Sequence, residues 1–300
     1  MPMAGSMLRH HPIMPFVAAA TGIATFSVMD ALMKSAAMAA GVFSAMLLRS
    51  LVGAVIMLPL WRLSAQGRWP DRAAMKVHGL RSAVCAGMAT SFFYGLVRIP
   101  MAEGIALSFI APLIALYLAA ILLGEQISRH AMTASLLGLA GVVVIAAGRL
   151  GGEAMGDEAL WGIAAILLSA VLYAWNLVLQ RQQAQLANPA EIAFFQNFFI
   201  TVILAMLVPW LFHMPPLRAL WDIAGGALLA VISLMLLSWA YARAETQVLL
   251  PIEYSAFIWS ALMGWWMFDE AVTLWTCAGV VLIVIACWIA ARGHTEQTAL

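Results

Sequence analysis

The chain has 300 residues, 64% hydrophobic and 10% charged, with a net charge of +1 and a mean hydropathy of +0.96. A soluble domain carries roughly 25% charged residues, so a chain this poor in charge cannot cover a globular surface for water and takes lipid as its main solvent. The scattered, nearly balanced charges exclude a nucleic-acid-binding surface, and Cys85, Cys277 and Cys287, all inside apolar runs, give neither a disulfide framework nor a metal-ligand spacing.

Residues 1–12 carry Arg9, His10 and His11 ahead of an apolar run from Ile13. This resembles the charged start of a signal peptide, but the run is long enough to span and no clear cleavage site follows, so it reads as a retained first helix. A helix needs about 20 apolar residues to cross the hydrocarbon core. In chain order the candidates are 13–33, 43–61, 77–97, 104–123, 131–148, 159–179, 192–212, 223–242, 248–268 and 272–291. The connections leave no room for a soluble domain. With the N-terminus inside, the inner side receives Arg9, Arg62, Arg68, Arg72, Lys76, Arg129, Arg181, Arg243 and Arg292, and the outer side Lys34, Arg98, Arg149 and Arg218. Arg49 and Arg81 fall within spans. This bias predicts a multi-pass protein of the bacterial inner membrane with both termini cytoplasmic. Trp61, Trp69, Trp161, Trp210, Trp221, Trp265, Trp266 and Trp275 lie near span ends, as an interfacial belt requires.

The second half echoes the first. Residues 94–125 begin Tyr-Gly-Leu-Val-Arg and end Leu-Gly-Glu; 145 positions later, 239–270 begin Trp-Ala-Tyr-Ala-Arg and end Phe-Asp-Glu. Arg98 thus matches Arg243, and Glu125 matches Glu270. Ala140-Gly-Val-Val-Val matches Ala278-Gly-Val-Val-Leu, and Leu58-Pro-Leu-Trp61 matches Leu207-Val-Pro-Trp210. Matches in the same order along the chain indicate a duplication, with halves 1–150 and 151–300. Five spans per half is an odd number, so the halves enter the membrane from opposite sides. Inverted repeats suit alternating access.

The stretch from Arg98 through Pro112, then Leu122-Leu-Gly-Glu125 and Gly138-Leu-Ala-Gly-Val-Val-Val, resembles the EamA family of the drug/metabolite transporter superfamily, and the similarity covers nearly the whole chain as two repeats. The resemblance implies an all-α membrane protein of ten transmembrane helices, two inverted five-helix repeats around a central cavity lined by spans 1, 3, 4, 6, 8 and 9. It further implies export of metabolites or amino acids, and it extends to the aromatic amino-acid exporters. The second half departs from the commoner pattern, with Glu253 and Phe257 standing where the first half has Ser108 and Pro112.

Polar side chains inside spans are costly and turn towards a bundle interior or a wet cavity. Ser169, Tyr173, Asn176 and Gln180 form one helical stripe on span 6, and Ile23, Ser27, Asp30 and Lys34 occupy the corresponding positions on span 1. They either line a cavity or hydrogen-bond neighbouring helices. Asp30 and Lys34 stand at i and i+4, a spacing at which they either neutralise one another near the outer interface or leave Lys34 to act as a functional site. Arg49 either pairs with Asp30 or snorkels to the outer surface. Glu253, in the second turn of span 9 after Pro251, begins a face continued by Phe257, Ser260 and Gly264. Its carboxylate suits a substrate ammonium group or a proton; the alternatives are an ion pair with Arg243 and a solvated position at the inner mouth. Tyr94 and Trp239 hold equivalent positions four residues before the matched arginines, as stacking surfaces, gates or belt residues. The candidate substrate-binding set is therefore Asp30, Tyr94, Ser108, Tyr173, Asn176, Gln180, Trp239, Glu253 and Phe257.

The chain contains no H-E-x-x-H, G-x-S-x-G, P-loop or Rossmann motif, so neither an enzyme nor a cofactor is expected. The expected partners are a small-molecule substrate and the bilayer, with monomer and homodimer both open. The leading reading is a secondary carrier exporting amino acids or similar amphiphilic metabolites. The alternatives are an exporter of drugs or nucleosides and a non-carrier channel.

Overall fold

The computed structural model describes residues 14–64, 69–123, 129–150, 157–184, 186–241, 243 and 252–298. They form helices α1 (Met14–Ala40), α2 (Val42–Ser64), α3 (Arg72–Leu96), α4 (Met101–Ser108), α5 (Ala111–Leu123), α6 (Arg129–Leu150), α7 (Asp157–Ala184), α8 (Pro189–Ala205), α9 (Val208–Leu211), α10 (Leu217–Tyr241), α11 (Ala256–Phe268) and α12 (Leu274–Thr298). No strand occurs among the described residues. Glu125 and Pro251, which figure in the repeat and in the expected kink of span 9, lie outside them.

Four of these helices, Met14–Ala40, Val42–Ser64, Asp157–Gln180 and Leu217–Ala240, are long and apolar enough to cross a membrane by length and composition; shorter apolar helices make up much of the remainder. The outer surface agrees with a lipid solvent. Val55, Leu136, Leu139, Val143, Met235 and Ile258 are each more than half exposed, a distribution that would aggregate in water. The interior is built instead from small residues and methionines, such as Met29, Ala31, Met33, Ala36 and Ala45. Small side chains let backbones approach, which is how helices associate where no hydrophobic force separates them from lipid.

Some expected spans are interrupted, and proline explains two of the breaks. Pro112 cannot donate to the carbonyl four residues back. The chain tightens there, Phe109 and Ile110 donating to Ala106 O and Leu107 O at 3.2 and 3.3 Å, and span 4 divides into α4 and α5. Pro209 does the same between α8 and α9, where the Leu207 N–H turns back to Leu204 O at 2.9 Å. Gly41, at φ +81°, supplies the left-handed residue that ends α1 and admits the sharp turn into α2.

The packing obeys the sequence repeat. α1 lies along α10, and α7, the counterpart of α1, lies along α3, the counterpart of α10. The pairs α2–α8 and α6–α12 each join an element to its own counterpart. Exchanging the halves therefore leaves these pairings unchanged. At the α6–α12 crossing the matched glycines meet. A Cβ on Gly141 would stand 2.7 Å from the Gly279 carbonyl oxygen, and one on Gly279 would stand 2.7 Å from that of Gly141.

Counterparts run in opposite directions. The C-terminal part of α1, the α3–α4 junction, and the starts of α7 and α10 gather at one end, joined by Lys34 to Ile99 O, Arg98 to Glu158 and Ser35 to Asp222. The starts of α3 and α8 and the C-terminal part of α7 gather at the other, joined by Arg81 to Gln183 and His78 to Glu191. These are called below the Lys34 end and the Arg81 end.

Candidate functional site

At the Lys34 end, α11 stops on Asp269, whose left-handed backbone (φ 55°) turns the Glu270 N–H back onto Gly264 O at 3.1 Å. Asp is among the few residues other than glycine that tolerate this conformation, and the first half carries glycine at the matched position, Gly124. The turn aims the Glu270 carboxylate inward, where it forms an ion pair with Lys34 and accepts the Met101 N–H at 2.8 Å. Lys34 also donates to Ile99 O at 3.0 Å and lies 4.9 Å from the Phe268 ring centroid. Gly264 makes room: a Cβ there would sit 2.7 Å from the Glu270 carboxylate. One ion pair thus ties α1, the α3–α4 junction and α11 together beneath a cavity of about 680 Å³ rimmed by Arg98, Pro100, Trp265 and Asp269.

The expectation that Lys34 neutralises Asp30 is therefore corrected. Lys34 extends along α1 towards the end of the bundle and meets a carboxylate from the other half, which a backbone amide already holds in place. Asp30, buried one turn deeper, instead feels the charge of Arg49. Among the described residues no ion pair within 4 Å joins those two, and Arg49 Nε is buried without a hydrogen-bond partner. Ile23, Ser27, Asp30 and Lys34 are all buried, so that stripe faces protein rather than lipid.

The Arg81 end carries the second polar centre. Arg81 Nε donates to Asn176 Oδ1 at 2.9 Å, one amino group donates to Gln183 Oε1, and the other donates to Gln180 Oε1 at 3.3 Å. The Cys85 thiol, one turn further along α3, donates to the same Asn176 oxygen at 3.1 Å. The Gln183 amide donates to His78 Nδ1, which leaves the His78 Nε2–H to donate to Glu191 at 3.2 Å. The α7 side of this network is the expected stripe, extended one step to Gln183. Tyr173, on the same face, is 42% exposed and feels the charges of both Arg81 and Glu253.

Of the candidate residues, Tyr173, Asn176 and Gln180 thus converge near Arg81, while Glu253, an exposed side chain, acts on the same ring of Tyr173 through its charge. Asp30 lies apart, beside Arg49. Tyr94 and Trp239 stand at opposite ends, each covered by its own arginine: Arg98 is 3.5 Å from the Tyr94 centroid and Arg243 is 4.3 Å from that of Trp239. Each arginine also donates to the backbone carbonyl of its ring residue. The two aromatics are equivalent by the repeat but share no common pocket. Ser108 bonds back to Gly104 O at 2.8 Å beside the α4–α5 break, and Phe257 packs on the apolar cluster that includes Leu107 and Ile166. Lys34, Glu270, Arg81 and Gln183 were not singled out as site residues from sequence, although Glu270 closes the repeated motif and Gln183 is the next step of the stripe. Among the described residues no group of three or more His, Cys, Asp or Glu is placed to hold a metal ion.

Comparison with known proteins places this geometry. The chain is 29% identical over 276 residues to the pseudopaline exporter of Pseudomonas aeruginosa, covering 88% of this chain and 90% of that protein. It is 26% identical over 205 residues to an uncharacterized transporter of Helicobacter pylori, covering 67% and 68% respectively. A crystal structure sharing 22% identity superposes with a TM-score of 0.62 over 94% of this chain and 98% of its own, so the fold is one already seen. The profile of the EamA-like transporter family matches residues 13–147 and again 160–292, and the chain therefore belongs to that family.

Proposed function

We propose that the protein is a secondary carrier exporting small amphiphilic metabolites of the amino-acid type, aromatic ones included, by alternating access across the bacterial inner membrane. In this reading the chain crosses ten times, α4 with α5 forming one crossing, and 1–150 and 151–300 are the two halves. Both termini are cytoplasmic, which makes the Lys34 end periplasmic. The observation that carries the reading is the pairing of helices that survives exchange of the halves, with a buried polar stripe on α1 and buried Ser169 and Asn176 on its counterpart α7. Such a bundle opens to either side by swapping the conformations of its halves.

The Lys34–Glu270 pair would hold the periplasmic mouth shut, and the α7 stripe with Tyr173, Asn176 and Gln180 would orient the solute, Glu253 meeting its ammonium group. The family and the exporter among the relatives support transport; the amino-acid class rests on two opposite charges, Arg81 and Glu253, that both act on Tyr173. The chain contains no nucleotide-binding motif, so the driving force would be a solute or ion gradient.

Purified protein in liposomes, preloaded with unlabelled solute and offered a radiolabelled panel, is expected to show saturable counterflow of at least one amino acid. Linear, non-saturable flux would indicate a channel and overturn the carrier. Glu253→Gln is expected to weaken uptake of that amino acid; unchanged rate, affinity and pH dependence would remove Glu253 from the site.

A further inference from the structure

Arg81 lies nine residues into α3, about 13 Å from its start at 1.5 Å per residue. A guanidinium at that depth in a membrane helix is expensive and keeps its charge. Buried cations are ordinarily paired with a carboxylate. Among the described residues the ion pairs are Lys34–Glu270, His78–Glu191 and Arg98–Glu158, and none includes Arg81. Among the described residues every hydrogen-bond partner of Arg81 is a neutral amide oxygen. Glu191, the acid on the same network, acts on His78 instead.

The amide contacts differ in kind. Asn176 and Gln183 are buried, at 4% and 1% exposure, and each has a second task, Asn176 accepting the Cys85 thiol and Gln183 donating to His78. They fix the plane of the guanidinium. Gln180 is exposed, its contact is the longest at 3.3 Å, and it makes no other hydrogen bond among the described residues. A guanidinium has five N–H donors, so three are engaged and two remain. The group is held in orientation at Nε and at one amino group, and its weakest partner, on the other amino group, is one that an incoming anion can displace.

We propose that Arg81 binds the carboxylate of the transported solute, which displaces the Gln180 amide while Asn176 and Gln183 keep the guanidinium oriented. The proposal rests on the carrier reading above and narrows it, restricting the substrate to solutes with a free carboxylate. Bidentate pairing of arginine with a carboxylate supplies both the attraction and the direction. Tyr173, on which the charges of both Arg81 and Glu253 act, then lies beside a bound zwitterion whose ammonium group is left for Glu253.

The test uses the full-length protein in liposomes and matched probe pairs: L-phenylalanine and L-phenylalaninamide, L-histidine and L-histidinamide, L-leucine and L-leucinamide. The wild type is expected to carry at least one acid at least tenfold better than its amide. Arg81→Gln is expected to raise the KM of that acid by about thirtyfold, equivalent to ~2 kcal/mol at 1.4 kcal/mol per tenfold, and to leave the amide unchanged. Arg81→Lys, which keeps the charge and loses the fork, recovers part of the preference. Asn176→Asp guards against misfolding of Arg81→Gln. It sets a carboxylate 2.9 Å from Arg81 Nε in the Asn176 position, so a purely structural arginine is held at least as firmly, whereas a substrate anchor is occupied from within and acid transport falls. Equal transport of acid and amide by the wild type, or a preference retained in Arg81→Gln and Asn176→Asp, overturns the proposal. Transport of solutes lacking a carboxylate with none of the acids overturns it while leaving the carrier standing; no saturable transport of any solute removes both.

Discussion

Replacing Glu270 by Gln isolates the closure at the Lys34 end. The substitution keeps a side-chain oxygen for the Met101 N–H, seen at 2.8 Å, but removes the charge facing Lys34. Lys34 is 3% exposed and Glu270 17%. Deleting one partner of a fully buried ion pair costs about 3–5 kcal/mol, much of it from the stranded charge. Here the Ile99 carbonyl at 3.0 Å and water at the partly open Glu270 side absorb part of that. A loss of about 2 kcal/mol from the closed state is therefore expected, which raises the population open at this end about thirtyfold. The reporter is Ser27→Cys in a background without Cys85, Cys277 and Cys287. Ser27 is buried on the Lys34 face of α1, two turns deeper. An impermeant maleimide supplied from the Lys34 side should label it about thirtyfold faster in Glu270→Gln. Adding Lys34→Met to Glu270→Gln should restore slow labelling in part, because no unpaired charge remains. An unchanged labelling rate in a folded Glu270→Gln protein would refute the assignment of this pair as the closure.

Gly141→Val and Gly279→Val should each lower the melting temperature in detergent, at a cost of about 1–3 kcal/mol, because the added Cβ meets a backbone carbonyl at 2.7 Å. Gly79→Ala, whose Cβ would meet nothing within 4 Å, should raise it, by adding about 1 kcal/mol of stability through helix propensity alone; equal effects at both places would contradict the close crossing. Asp269→Gly should preserve or raise stability, whereas Asp269→Val should lose about 1–2 kcal/mol to its left-handed backbone and speed the same Ser27→Cys labelling by misaiming Glu270.

The duplication was legible because it is written in matched residues, and Gly141 and Gly279, aligned from sequence, do touch. The inward stripe on α1 was legible because a period of 3.6 survives without knowledge of partners. What escaped were contacts whose two members lie far apart in the chain. Lys34 was matched to Asp30, four residues away, when its carboxylate is 236 positions on. Hydropathy ended span 6 at 179, whereas α7 runs to Ala184, so Gln183, one of the three partners of Arg81, fell outside the stripe. Tyr94 and Trp239 show the opposite failure: equivalent by sequence, they are each occupied by a neighbouring arginine at opposite ends of the bundle.

The glycine-on-glycine seam between α6 and α12 is isologous, each surface meeting its own counterpart, as across the two-fold axis of a homodimer. Two separate five-helix polypeptides could associate through the same seam, but identical subunits would be bound to identical mouths. Joining them in one chain frees each copy to drift. Lys34 in the first copy corresponds to Gln180 in the second, so a charged latch on one side answers a neutral amide on the other. The fused molecule can therefore rest with unequal doors, a bias that symmetry would deny to a pair of identical halves.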